Sequence, residues 1–394
     1  MKRIHTILII LLLAVTYGEA KKSSDDRQMD DFITSLMKKM TLEEKIGQLN
    51  LGGVGSPKVV GSAIGLDEAI RKGLVSSVGG FDAKAAEDAQ KFAVENSRMK
   101  IPLITGLDVV HGYYTIFPIP LASACSWNMP LLEESARVAA DEASAFGINW
   151  TFAPMVDICR DPRWGRIAEG AGEDPCLGSR IGRAMVRGFQ GDDLSKPNTL
   201  LACVKHFALY GASEAGRDYN TVSMDPVTMY NYYLPPYKAA FDEGAGSGMT
   251  SFNVVNGVPA TGNKWLLTDL LRDQWKFKGF MVSDANSLAE MSEHGMGGAQ
   301  RITELAMNAG LDMDMSSSLY VLCLKKAVEE KRVPLSRIDA ACRRVLEAKY
   351  KLGLFEDPFR YLKNKQRQSQ VLSPQNRDVA RRLAAESIVL LKNS

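Results

Sequence analysis

A repeated unit constrains this chain more than any other feature: a short apolar run that ends in a polar or charged residue, a helical stretch, then another such run. Residues 102–107 lead to Asp108, 148–156 to Asp157 and 200–204 to Lys205 and His206. Further on, 248–252 lead to Asn253, 280–283 to Asp284 and 310–311 to Asp312. Runs this short and this apolar are what strands buried on both faces of a sheet look like. Residues 179–190, 225–243, 264–275 and 300–308 read as helices between them. Another helix starts at Asn128, an N-cap with Pro130 in the first turn and Glu133 and Glu134 near the positive end. Alternation of strand and helix specifies βα units and a parallel sheet.

An open sheet and a closed barrel share that rhythm. An open sheet concentrates its chemistry at one switch point. A barrel brings every strand end to one mouth. Here polar residues close at least five successive runs, which selects a TIM-like (β/α)8 barrel of the α/β class. The 394 residues, 45% hydrophobic and 24% charged, suit one large barrel. A lead-in over 21–50 is helical, with Thr41-Leu42-Glu43-Glu44 as a capping box shifted by a residue at most. Residues 335–352 form a helix closed by Gly353, and 361–372 are a polar linker. Residues 373–394 open a second domain, with a helix over 376–386 and a strand-like run over 387–391. The barrel is therefore expected over 21–360, and the sequence is expected to be a fragment that stops where its next domain begins.

The ends and the charge narrow the setting. Lys2 and Arg3, the apolar run 7–15 and Gly18-Glu19-Ala20 have the order of a signal peptide over 1–20. A run that short does not span a bilayer. An exported protein, periplasmic or secreted, is expected, with no membrane span. The net charge of +2 lays down no basic stripe for nucleic acid. The six cysteines form no CxxC pair, and mostly buried thiols are expected. His111, His206 and His294 are scattered, so no metal and no cofactor are expected.

Three places concentrate polar chemistry. The loop Asp161-Pro162-Arg163-Trp164-Gly165-Arg166, with Glu169, Glu173 and Asp174 beyond it, suits polyol recognition. Arginine donates directed pairs of hydrogen bonds, and an indole offers a face to a sugar ring. A salt-bridged structural loop explains Glu173 and Asp174 equally well. Lys205 beside His206 places two cations together, which serves no packing purpose but suits donors aimed into a cleft. Asp284 closes the most strand-like run. It is a nucleophile or an N-cap for the following helix, two readings that position alone leaves even.

Taken in order, these residues resemble glycoside hydrolase family 3, and the periplasmic β-glucosidases within it. The resemblance runs through Met40-Thr41-Leu42-Glu43-Glu44-Lys45-Ile46-Gly47-Gln48, Leu107-Asp108-Val109-Val110-His111-Gly112 and Phe152-Ala153-Pro154-Met155-Val156-Asp157. It continues with Arg160-Asp161-Pro162-Arg163-Trp164-Gly165-Arg166, Val204-Lys205-His206-Phe207 and Val282-Ser283-Asp284. It implies a TIM-like barrel followed by an αβα sandwich domain. It implies a retaining exo-hydrolase of terminal β-D-glucosyl residues with Asp284 as nucleophile. Asp108, Arg166, Lys205, His206 and Met249 would bind the terminal sugar, and Asp218 matches a family acidic position more loosely. The acid/base would come from beyond residue 394, in the missing domain that completes the site, and is not assigned to Glu290 or Glu293. Ala285 and Phe252 depart from the Trp or His and the Tyr that many members carry. A β-xylosidase of the same family, or a non-catalytic sugar-binding barrel, is the alternative.

Overall fold

The computed structural model describes residues 24–53, 65–79, 83–363 and 365–393. The expected signal peptide lies outside the described residues. The chain divides into two compact units, Met1–Lys39 and Met40–Ser394. The described part of the first is one helix, Ser24–Lys39. Asp25 and Asp26 sit in its first turn and Lys38 and Lys39 in its last, each opposing the dipole end it occupies.

The second unit opens with the helix Leu42–Gly47. The Thr41 side chain accepts the Glu44 N–H and the Glu44 carboxylate accepts the Thr41 N–H, so the capping box stands unshifted. The helical lead-in ends sooner than its sequence suggested, because Asn50 already belongs to a strand.

Among the described residues ten strands follow: β1 (Asn50–Gly53), β2 (Ser77–Gly79), β3 (Ile104–Leu107), β4 (Trp150–Thr151), β5 (Leu201–Phe207), β6 (Ser247–Thr250), β7 (Val254–Val255), β8 (Val258–Pro259), β9 (Phe280–Val282) and β10 (Asp314–Met315). Eight of them form one sheet in the order β10-β1-β2-β3-β4-β5-β6-β9, and every pairing within it is parallel. The Ser283 N–H donates to Met313 O and the Met313 N–H to Met281 O, each at 2.9 Å, which joins β9 to the approach of β10. The sheet therefore returns on itself as a barrel. β7 and β8 make a small antiparallel hairpin outside it.

The barrel interior is filled. Leu51, Ile104, Trp150, Cys203, Met249, Phe280, Val282 and Met315 meet in one core, closed from below by Val345, Leu352, Leu354 and Tyr361. Trp150 stands edge-on to Phe152 and Phe280, with ring centroids 4.9 and 5.2 Å away, and its Nε1 donates to Ser247 Oγ at 2.8 Å. Burying a side chain of this size contributes about 3 kcal/mol, and the indole N–H has its partner, so no polar atom is stranded.

The helical ring follows its caps. Asn128 Oδ1 accepts the Leu131 N–H at 3.1 Å and starts the helix Met129–Ala145. Asp174 Oδ1 accepts the Leu177 N–H at 2.7 Å and starts Pro175–Gln190, so this acid of the polar loop is a structural cap. The expected helix over 225–243 is broken into Pro226–Thr228, a wide turn Met229–Tyr233, and Pro235–Asp242. Pro235 lacks the N–H that would continue the ladder.

The segment 361–372, expected to be a linker, holds a short helix, Lys365–Gln368. Arg367 there donates to Asp141 Oδ1 and Ser144 Oγ, each at 2.8 Å. The helix Pro374–Glu386 lays Val379 and Leu383 against Phe117, Leu131 and Leu132. The run 387–391 is not a strand. It is irregular, and Leu391 is 92% exposed. Its β-branched, apolar composition favours a strand, but a strand needs a partner edge, and among the described residues none pairs with it.

Of the six thiols, Cys159, Cys203 and Cys342 are buried, Cys323 is intermediate, and Cys125 and Cys176 are exposed; all are free. Burial is thus commoner in the expectation than in the fold. It pushes Cys203 and Cys342 up to about 12, which leaves them inert as nucleophiles.

Candidate active site

The C-terminal ends of the parallel strands share one mouth, and of the residues that close the runs Asp108, Lys205, His206 and Asp284 meet there. Asp157 and Asn253 are buried outside the pocket, and Asp312 lies ahead of β10, paired with Arg272 and Arg344. A pocket of about 400 Å³ opens at this mouth, a volume usual for small-molecule sites. Asp108, Arg166, Lys205, His206, Met249 and Asp284 all line it. Asp108 follows β3, Lys205 and His206 lie on β5, Met249 on β6, and Asp284 two residues past β9. Arg166 comes from the long loop after β4. The wall between Asp108 and Phe117 turns at Gly112, whose φ of +114° disfavours a side chain and where an added Cβ would lie 2.1 Å from Thr115 O.

Charges in the pocket are paired. Lys205 Nζ reaches Asp108 Oδ1 at 2.5 Å; the lysine is nearly sealed while the aspartate side chain is 57% exposed. Lys205 and His206 sit side by side on β5 because each has its own acid. His206, only 1% exposed, has Nδ1 at 2.9 Å from Asp157 Oδ2 and Nε2 at 3.5 Å from Asp284 Oδ2. Arg166 donates through Nε and Nη2 to the two oxygens of Glu169 at 2.7 and 2.9 Å. Burial pushes the Glu169 carboxyl up, but the Arg166 fork and the charges of Lys205 and His206 outweigh it and leave it below its ordinary value. Burial and the Asp284 charge both push the nearby Glu290 carboxyl up.

Asp284 itself is 14% exposed at its side chain. Oδ1 accepts the Ala285 N–H at 2.7 Å, while Oδ2 is buried with no hydrogen-bond partner. The helix that follows, Ser287–Glu290, has Asn286 at its N-cap and no side-chain cap bond. The capping role weighed for Asp284 is therefore not the one it plays. An oxygen without a donor keeps its lone pairs available to an incoming electrophile.

Two expectations fail on packing. Trp164 is buried, edge-on to Tyr210 with centroids 5.2 Å apart, so it offers no face to a sugar. Asp218 does not line the pocket. Its Oδ1 accepts the Trp164 Nε1–H at 2.9 Å, so it anchors that indole. Asp161 is likewise spent on Arg163. Glu169, named with the polar loop, lines the pocket, as do His111 and Phe152 of the quoted motifs; Ile119 and Met315 also line it and were not singled out. Glu169 was legible as an acid three residues after Arg166, a spacing that pairs on a helical turn. No local signal marks Ile119 or Met315. Ala285 lies on the rim, exposed. Among the described residues no cluster of His, Cys, Asp and Glu is arranged to hold a metal ion.

A filled eight-stranded parallel barrel with its acids and cations gathered at the C-terminal mouth is a TIM barrel with an enzyme-type pocket. The chain belongs to glycosyl hydrolase family 3: the family's N-terminal domain profile matches residues 41–348. It is 43% identical over 373 residues to a periplasmic beta-glucosidase of Salmonella typhimurium, covering 92% of this chain and 48% of that protein. It is 32% identical to a putative beta-xylosidase of Formosa agariphila, over 96% of this chain and 53% of that protein. The crystal structure of a Listeria innocua beta-glucosidase in complex with isofagomine superposes with a TM-score of 0.87 at 43% identity, covering 92% of this chain and 52% of that one. The chain spans about half the length of the relatives it matches. Among the described residues, no helix is long and apolar enough to cross a membrane.

Proposed function

We propose that this barrel is the catalytic domain of an exported, retaining, exo-acting β-glucosidase with Asp284 as nucleophile. One observation supports the reading most: the unpartnered Oδ2 of Asp284 shares a pocket with Asp108, Arg166, Lys205 and His206. The four partners supply donors and acceptors for the hydroxyls of one terminal sugar. Met249, buried on the same wall, supplies an apolar contact for the ring. Asp284 Oδ2 then attacks the anomeric carbon, a C–O bond to the enzyme forms, and the glycosidic C–O bond breaks. The departing oxygen takes a proton from a second carboxyl group, which a retaining enzyme places about 5–5.5 Å from the first. In this reading that acid comes from a domain beyond residue 394, and export follows from the signal-peptide pattern over 1–20.

The test uses an activated 2-fluoroglucoside, whose leaving group needs no proton. Mass spectrometry of the 394-residue chain should find one glycosyl adduct on the peptide bearing Asp284, and Asp284→Asn should take none. A chain that binds glucose but never forms the adduct is a sugar-binding barrel. Similarity to the Formosa protein favours a second reading, a β-xylosidase. Faster labelling by the fluoroxyloside than by the fluoroglucoside would decide for it.

A further inference from the structure

Behind the pocket lies an acid that no sugar can reach. Asp157, in the loop after β4, is 1% exposed. Its Oδ2 accepts the backbone N–H of His206 at 2.9 Å and lies 2.9 Å from the His206 ring nitrogen Nδ1. Its Oδ1 accepts the hydroxyl of Tyr237, a fully buried residue of the helix Pro235–Asp242. The same hydroxyl is 2.9 Å from the His206 carbonyl oxygen. The Tyr210 ring stands edge-on to the imidazole at 5.3 Å between centroids. The far nitrogen, Nε2, is 3.5 Å from Asp284 Oδ2.

We propose that Asp157, braced by Tyr237, is a positioning residue that holds the His206 ring with its Nδ1 proton turned inward and Nε2 turned to Asp284 and the sugar; the proposal rests on the glycosidase reading of that pocket. An imidazole nitrogen either donates or accepts, and the group bonded to one nitrogen sets the state of the other. Asp157 Oδ2 already accepts a backbone N–H, so the contact at Nδ1 is a donation from the ring. An amide at position 157 would keep its oxygen on the His206 N–H and Nδ1 and turn its N–H₂ to the Tyr237 hydroxyl, which can still donate to the His206 carbonyl. Leucine at position 157 offers no acceptor, so Nδ1 has nothing to donate to and the ring proton moves to Nε2, toward the Asp284 carboxylate. A neutral ring with its proton at Nε2 gives Asp284 Oδ2 the donor it lacks, which blunts it as a nucleophile. It also removes Nε2 as an acceptor for a sugar hydroxyl.

The experiment uses the 394-residue chain with ¹⁵N-labelled histidine, the His206 resonances being assigned by their loss in His206→Gln. In the wild type Nδ1 should carry a proton and Asp157→Asn should keep it there, whereas in Asp157→Leu the proton should sit on Nε2 alone. In Asp157→Leu the rate of Asp284 labelling by the fluoroglucoside should fall, by up to about 10⁴-fold, the loss seen when a triad histidine takes the wrong tautomer. Tyr237→Phe keeps the acid and loses the brace, so labelling should slow about tenfold, a loss of about 1.4 kcal/mol. A purely structural role would lower the melting temperature but leave the tautomer unchanged. An unprotonated Nδ1 in the wild type, or Asp157→Leu labelling at the wild-type rate, overturns the proposal. If Asp157→Leu does not fold, Tyr237→Phe decides, and an unchanged labelling rate there overturns it. A wild type that takes no label ends the glycosidase reading instead, and the proton position still reads Asp157 directly.

Discussion

Single side chains in this protein are set by what they pair with more than by their type. Lys205 and Lys349 are both nearly or fully buried, yet one meets Asp108 and the other meets only Gln48 Oε1, at 2.7 Å. Burial with no anion beside it pushes Lys349 down to about 7. The unfolded chain keeps its lysine proton up to about 10.4, so between about 7 and that value the unfolded state binds more protons than the folded state. Stability therefore rises with pH across this window, and the cost of a buried charge is greatest below it. Lys349→Met should flatten the slope and raise the melting temperature at pH 6. Melting curves from pH 6 to 10 check this, and an unchanged slope would place its source elsewhere. Trp164 and Asp218 teach the same lesson in reverse: both types suit sugar binding, but here they satisfy each other outside the pocket.

At the scale of elements, caps locate the helices and the strands locate the acids. Asn128 caps Met129–Ala145, and its Nδ2 also donates to Glu386 Oε2 at 2.8 Å, tying the last helix to the ring. Asn128→Ala should cost about 0.5–2 kcal/mol in urea unfolding, while Asn128→Ser, which keeps the acceptor, should recover most of it. Equal losses for both would mean that the bond to Glu386 dominates. These caps were readable because they rest on residues three or four apart. The break at Pro235 was readable too, yet the helical spacing on both sides hid it. The run 387–391 has the composition of a strand and none of the pairing, because a strand is completed only by a neighbour.

Over the whole molecule, the pocket exists only because the sheet closes, bringing the ends of β3, β5, β6 and β9 and the loop after β4 to one mouth. A sugar that binds this folded arrangement and not the unfolded chain stabilises it by mass action, about 2.7 kcal/mol at a hundredfold excess over Kd. On the proposed function, glucose should therefore raise the melting temperature of the chain in proportion to log concentration, and Asp108→Ala or Lys205→Met should abolish most of the rise. A shift that survives both variants would mean that the ligand sits in another cavity. The order of its runs determined the barrel class, and its residues together with the family resemblance named Asp108, Arg166, Lys205, His206, Met249 and Asp284, all of which line the pocket. A residue at the C-terminal end of a barrel strand lies near the common mouth, although Asp157 is buried behind the pocket and Asp312, ahead of β10, pairs with Arg272 and Arg344. Tertiary structure alone decided that Trp164 is buried and that Asp218 serves it. It also decided that Tyr237 reaches Asp157 across 80 residues of chain. Such contacts depend on which faces of distant elements meet, and no spacing within a single element encodes that.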